Sequence, residues 1–246
     1  MRLEGRVVIV TGGAQGLGKT YAQRLTAEGA LVAIADINGT LAQTTAQEIN
    51  ALPIQTDVAN RGSVQSMVDS VLQAYGKIDV LVNNAALFGP LEHQPIEDIS
   101  VELWDRVMAI NVRGVFLCCQ AVIPLMKRQG SGKIINIASG TLLSAPPNFA
   151  HYITSKGAVF AMSRALAREV GPAGITVNTL SPGLTLTEAV GLHHAPERIE
   201  QSRVSRALAR DEVPEDLEGA LVFLASDDSN FMTGQMLVVN GGAQFW

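Results

Sequence analysis

The 246-residue chain predicts an α/β fold: a single-domain, doubly wound parallel sheet of about seven strands, Rossmann-like, flanked by helices and covered by a helical lid. Three observations predict it. Short β-branched runs alternate with longer amphipathic stretches from one end to the other. Several of those runs are almost continuous in Val, Ile and Leu, as strands are when helices cover both sheet faces. A glycine-rich turn joins the first run to the first amphipathic stretch, the arrangement that presents backbone N–H groups to a phosphate.

The strands expected in order are 6–11, 31–35, a weak one at 53–56, then 78–83, 133–138, 175–180 and 236–239. Between them, apolar residues recur at helical spacing over 17–28, 41–50, 63–75, 101–128, 152–170 and 214–225. No repeat, composition shift or Pro/Ser-rich linker divides residues 1–246, so one domain is expected. The stretch 184–212 has little strand character, carries several arginines and the pair His193–His194, and reads as one or two helices forming a lid.

Composition excludes several classes of function. A net charge of −5 without any Lys/Arg cluster argues against nucleic acid as a partner. No apolar run reaches the roughly 18–20 residues a bilayer crossing needs, since 115–119 stops at Gln120 and Pro124 interrupts 121–126. The N-terminus runs directly into a strand, and the only cysteines, Cys118 and Cys119, adjoin in an apolar segment; both point to a reducing, cytoplasmic setting. None of the four histidines has metal-ligand spacing, so no metal is expected.

The turn Thr11-Gly-Gly-Ala-Gln-Gly-Leu-Gly18 places Gly12, Gly16 and Gly18, with Gln15 and Leu17, where a tight turn, a pyrophosphate and close helix packing require them. Asp36 follows the second run, where a carboxylate accepts from a ribose 2′-OH and repels a 2′-phosphate. No Arg or Lys stands at 15, 37 or 38, so NAD is expected in preference to NADP. Tyr152 and Lys156 share a helix face four residues apart, and a neighbouring ammonium lowers a phenol's pKa. Ser139 ends an apolar run thirteen positions upstream of that phenol.

Together these motifs resemble the classical short-chain dehydrogenase/reductase family over residues 5–242. The resemblance is carried by the 11–18 turn, Asp57-Val58, Asn83-Asn84-Ala85, Asn111, Ser139, Tyr152 with Lys156, Asn178-Thr-Leu-Ser-Pro182-Gly183, Thr187, 223–227 and Thr233-Gly-Gln235. The family match implies that Asn111, Ser139, Tyr152 and Lys156 form a catalytic tetrad. It also implies cofactor contacts from the phosphate turn, Asp36, Ile37, Asp57, Val58, Asn84, Ala85, Tyr152, Lys156, Pro182, Gly183, Thr185 and Thr187. Ala86, Thr185 and Asn240 depart from the family pattern, which usually has Gly, a branched aliphatic and Asp there.

The implied reaction moves a hydride between NAD(H) and a secondary alcohol or ketone. Tyr152 serves as acid/base, Lys156 lowers its pKa and holds the ribose, Ser139 steadies the substrate oxygen, and Asn111 anchors a water leading to Lys156. Phe88, Leu91, Thr141, Leu142, Phe149 and Leu184 are the expected pocket wall, mostly apolar and without an arginine clamp, suited to a small or medium hydrophobic or aryl substrate. Arg198, Arg203, Arg206 and the lid histidines are expected in solvent. The resemblance further implies a homotetramer. Alternatives on the same scaffold are a 3-oxoacyl-carrier-protein-type ketoreductase, a sugar or polyol dehydrogenase, an epimerase, and an NAD-binding regulator without chemistry.

Overall fold

The computed structural model describes residues 1–89, 91–193 and 195–245. Pro90, His194 and Trp246 lie outside the described residues, as do the side chains of Ala189, Leu192 and His193.

Seven parallel strands run in the order β3-β2-β1-β4-β5-β6-β7. They are β1 (Val7–Thr11), β2 (Leu31–Asp36), β3 (Leu52–Gln55), β4 (Val80–Asn83), β5 (Gly132–Ile137), β6 (Ile175–Pro182) and β7 (Met236–Val239). Alternate residues of each strand point to opposite faces and so fill two cores. Val7, Ile9, Leu81 and Ile134 pack under α3 (Arg61–Tyr75), α5 (Gly114–Gln129) and α7 (Ala150–Val170), meeting Met67, Val71, Val122, Met126 and Val159. Val8, Val10, Val80, Val82 and Ile135 pack under α1 (Gly16–Ala27), α2 (Gly39–Ile49) and α10 (Glu215–Ala225), meeting Tyr21, Leu25, Leu217 and Leu221. Each fully buried large aliphatic contributes about 1.5–3 kcal/mol of transfer free energy, and both faces of the sheet are dry, which is why the runs read as continuous rather than alternating.

α2 and α3 start two residues before the expected positions, because polar caps precede the apolar repeat. Asn38 accepts from Leu41 N and Asn60 from Ser63 N, each at 3.0 Å, so α2 and α3 begin ahead of 41 and 63. The expected helix 101–128 is broken: α4 (Val101–Met108) passes through a π-helical turn at Ala109–Arg113 into α5. Wide turns of this kind are common at functional sites. The expectation that no segment is long and apolar enough to cross a membrane is also corrected, because 101–129 passes that test by length and composition. Its Val115, Leu117, Cys118, Cys119, Val122 and Met126 are buried against the sheet, the packing of a core helix.

Order 3-2-1-4 reverses direction of winding at β1, so the crevice between the C-terminal ends of β1 and β4 is where a ligand fits. Beyond β6 the chain forms α8 (Glu188–His193) and α9 (Pro196–Val204), the expected lid. A parallel bridge between Thr185 and Glu212, with Leu186 N donating to Glu212 O at 2.7 Å, ties the two ends of this insert together.

Candidate active site

A cavity of about 840 Å³ opens at the C-terminal ends of β1, β4, β5 and β6. Its floor is the phosphate turn. Gly12 has φ +62° and a Cβ there would fall 2.9 Å from Ala85 Cα; a Cβ on Gly18 would fall 1.9 Å from Gly12 O. Only glycine permits both the turn and this contact of helix with loop. Gln15 precedes α1 without capping it through its side chain, so the first N–H groups of α1 are left for an anion. Thr187 crosses over this point: its methyl and Cβ stand 4.0 Å from where a Gly16 Cβ would be. The cradle therefore fits a dinucleotide pyrophosphate.

Asn84 stitches this floor to β4. Its Nδ2 donates to Thr11 O and Gly12 O, both at 3.0 Å, while Thr11 Oγ1 accepts from Asn84 N and Ala85 N. The Asn84 side chain thus holds the turn, and its cofactor role is indirect.

Asp36 is buried at the end of β2, with its carboxylate accepting from Ala14 N at 3.1 Å and Asn38 N at 3.0 Å. A groove lined by Ile37, Asn38, Gly39 and Thr40 opens beside it, separate from the main cavity. Two bonds leave carboxylate lone pairs for a diol. Val58 departs from expectation. Its side chain turns into the core, where a Cβ on Gly114 would meet it at 2.8 Å, while Asp57 is exposed and folds its carboxylate onto Ala59 N.

Ser139, Tyr152 and Lys156 converge on the cavity wall. Ser139 leaves the end of β5 and its Oγ accepts from Thr141 N at 3.2 Å and Thr141 Oγ1 at 3.0 Å. Tyr152 is buried, and burial drives its phenol far above the ordinary tyrosine range, with a hydrogen bond to Ser139 pulling the other way. Lys156 donates to Ile137 O at 2.8 Å and lies 5.7 Å from the centre of the Tyr152 ring. Burial brings its ammonium down to about 8. Burial, and not the Lys156 charge, sets the direction of the Tyr152 shift, so the expected lowering by the ammonium is not seen here.

Asn111 sits in the π turn and is buried. Its Oδ1 accepts from Leu87 N at 2.7 Å, and its Nδ2 donates to Leu87 O at 3.2 Å and Ser155 Oγ at 3.0 Å. Both amide hydrogens are used, so any water held by this side chain takes the remaining lone pair of Oδ1.

The expected substrate wall divides. Phe88, Thr141 and Leu184 line the cavity, joined by Val190 and Leu87. Leu91, Leu142 and Phe149 do not. Leu91 and Phe149 are buried with Val107 in a third small core, where Phe149 stacks on Tyr152 (4.9 Å between centres) and on His93 (4.1 Å). They support the wall from behind. Thr185 is committed too: its hydroxyl donates to Glu212 Oε1 at 2.7 Å, and Glu212 also accepts from Gly183 N at 3.0 Å. Pro182 and Gly183 line the cavity at the end of β6, where Gly140 N donates to Pro182 O.

Of the lid arginines, only Arg203 behaves as expected, pairing at the surface with Glu200 and, at 3.8 Å, Asp211. Arg206 is buried, donating to Leu184 O at 2.8 Å and lying 3.6 Å from Glu212. Arg198 turns into the cavity over Phe149. The cavity expected to lack an arginine is lined by two, Arg198 and the Glu212-paired Arg206. No sequence signal distinguished these three, because helical spacing alone cannot say which face a short lid presents.

A family model described as enoyl-(acyl carrier protein) reductase matches residues 12–244. A hydroxy(phenyl)methylsuccinyl-CoA dehydrogenase subunit of Thauera aromatica is 39% identical, with 98% of each chain covered. The chain belongs to the classical short-chain dehydrogenase/reductase family. A cyclopentanol dehydrogenase of Comamonas is 38% identical over 98% of both chains. Among solved structures, a 3-ketoacyl-(acyl-carrier-protein) reductase of Brucella melitensis complexed with NADH superposes with a TM-score of 0.92 at 34% identity, covering 99% of this chain and 100% of that one. This short-chain dehydrogenase/reductase is an oxidoreductase that acts on CH–OH groups with a nicotinamide cofactor. In it, the family's Gly-to-Ala departure at Ala86 is exposed on the cavity, Thr185 serves the Glu212 contact, and Asn240 accepts from Gly242 N to close the turn after β7.

Proposed function

We propose that this enzyme is an NAD(H)-dependent dehydrogenase of secondary alcohols and ketones, with Tyr152 as the acid/base and an apolar substrate body beside the reacting carbon. The observation that carries the reading is the meeting of Ser139, Tyr152 and Lys156 on one cavity wall. When bound, the nicotinamide supplies or takes up the hydride and adds positive charge to the site. The protein's own residues handle the rest. In reduction, Ser139 Oγ donates to the substrate oxygen and Tyr152 gives that oxygen its proton; in oxidation Tyr152 recovers the proton from the carbinol. Lys156, anchored on Ile137 O, lends its charge to the phenol and its remaining hydrogens to the nicotinamide ribose. Asn111 Oδ1 holds the water that passes protons from Lys156 toward solvent.

Preference for NAD rests on Asp36, whose buried carboxylate would meet a 2′-phosphate with like charge. Phe88, Leu184 and Val190 supply the apolar contact. The test is initial-rate measurement with NADH and NADPH over aryl ketones, cyclic and linear aliphatic ketones, sugars and β-ketoesters. A clear NADPH preference, or turnover confined to sugars, would overturn the reading.

The proposal extends to a cytoplasmic homotetramer. Buried, unpaired Cys118 and Cys119 suit a reducing compartment, and Phe116, exposed on α5, suits a helix-to-helix interface. Sedimentation velocity distinguishes a tetramer from smaller species.

A further inference from the structure

Arg198, Gln201, Ser202 and Ser205 recur at i, i+3, i+4 and i+7 along α9 and its C-cap, and all four line the cavity. The lid therefore turns a polar helix face inward. The same cavity is lined by Phe88, Leu184 and Val190, so it offers an apolar wall as well as the polar lid face. A ligand that fits both walls has an apolar body and a polar end.

The charge of Arg198 identifies that end. Among the described residues no carboxylate lies within ion-pair distance of its guanidinium. Its partner is His93, whose Nε2 it contacts while His93 Nδ1 lies 3.2 Å from Pro147 O. This geometry assigns the neutral Nδ1–H tautomer, donating to Pro147 O and accepting from Arg198. Burial and the Arg198 charge both keep His93 neutral. The imidazole positions the guanidinium without cancelling its charge. Phe149 fixes it further, with the guanidinium carbon 6.0 Å from the ring centre. The cation is half-buried, preoriented and uncompensated.

Its location is on the substrate side. Thr187 marks the pyrophosphate end of the lid, over Gly16, whereas Arg198 stands on the Phe149 ring that itself stacks on Tyr152. Two ring contacts, of 6.0 and 4.9 Å, lead from the guanidinium to the Tyr152 ring.

We propose that Arg198 binds a carboxylate of the substrate, making the substrate a hydroxy or keto acid whose acid group lies a short chain or one ring from the reacting carbon. The inference rests on the hydride-transfer reading above and names the substrate class for it. A planar guanidinium held by His93 suits bidentate capture of a carboxylate, while Gln201 and Ser202 donate to its outer lone pairs.

Matched ketones test it: 4-acetylbenzoate against 4-methylacetophenone, with wild type, Arg198→Met and Arg198→Lys. Wild type is expected to favour the acid in kcat/KM by at least about 10-fold, Arg198→Met to lose that ratio, and Arg198→Lys to keep part of it. Equal ratios in wild type and Arg198→Met would overturn the proposal. Calorimetric titration of 4-acetylbenzoate into the NAD⁺-saturated protein gives a readout without turnover. Tight binding that Arg198→Met weakens about 10-fold or more supports the proposal even where neither ketone is reduced, an outcome that would count against hydride transfer instead. Binding no tighter than that of 4-methylacetophenone overturns it.

Discussion

Lys156 donates a hydrogen bond to the carbonyl of Ile137 at 2.8 Å and meets Tyr152 only as a charge 5.7 Å from its ring centre. Burial keeps the phenol protonated. Tyr152→Phe removes the proton carrier but keeps the ring that stacks on Phe149. Turnover is expected to fall by about 10³-fold, within the range of general acid–base effects, while NADH binding followed by fluorescence persists. Residual turnover above about a tenth of wild type would remove Tyr152 from the acid/base role.

Burial of Lys156 has its own signature in stability. Its folded pKa of about 8 lies below the unfolded 10.5, so between those values the unfolded chain binds more protons and stability rises with pH. Below pH 8 the cost of the buried charge is fully present. Denaturant unfolding of the ligand-free protein should show a gain of about 2–3 kcal/mol from pH 8 to 10 relative to Lys156→Met. Above pH 10 the raised Tyr152 phenol works in the opposite direction, since the unfolded tyrosine ionises first. Parallel curves for the two proteins would show that Lys156 is solvated.

Asp36 selects the cofactor and also closes the turn. Asp36→Asn keeps one acceptor oxygen for Ala14 N or Asn38 N while removing the charge. The NAD/NADP ratio of kcat/KM is expected to drop by about 10-fold or more, with a melting temperature close to wild type because one oxygen still accepts. An unchanged ratio refutes the ribose assignment.

Glu212 joins Gly183 N, Thr185 and Arg206 in a buried cluster. Glu212→Leu leaves the Arg206 cation buried without its partner, an error that costs about 3–5 kcal/mol. Thermal unfolding should fall sharply, and Arg206→Met/Glu212→Leu together should recover much of the loss. If the double variant melts no higher than the single one, the two side chains are not coupled.

Asn111 divides structural from catalytic duty. Asn111→Ala deletes both bonds to Leu87 and the bond to Ser155, leaving buried groups unpaired at about 1–3 kcal/mol each. Urea unfolding is the measurement. A stability equal to wild type with lost turnover would assign the residue wholly to the proton path.

Legibility followed local chemistry. The Val/Ile/Leu runs and the glycine turn were enough for the parallel sheet and the cofactor cradle, because strand periodicity and positive φ are written residue by residue. The π turn was not, since 101–128 keeps one apolar period through it and the wider ring is held by Asn111 bonding across to Leu87. The sequence puts Leu91 and Phe149 in the right neighbourhood but in the wrong layer, since they back the cavity wall rather than line it. Which aromatic faces the ligand and which backs it depends on the stack His93–Phe149–Tyr152, a contact between distant segments. Arg198 and Arg206 were invisible for the same reason: their burial depends on residues 93, 149, 184 and 212, far along the chain.

The closed neck formed by Thr185, Leu186 and Glu212 makes the 188–205 segment an interchangeable part. Because the neck is bonded to itself, Thr187 keeps its place over Gly16 whatever residues 188–205 contain. Relatives with equal neck spacing could exchange this piece as a cassette, changing what is oxidised while leaving the machinery beneath it intact. Selection acting on the cassette alone would then suffice to diversify substrates across such a family.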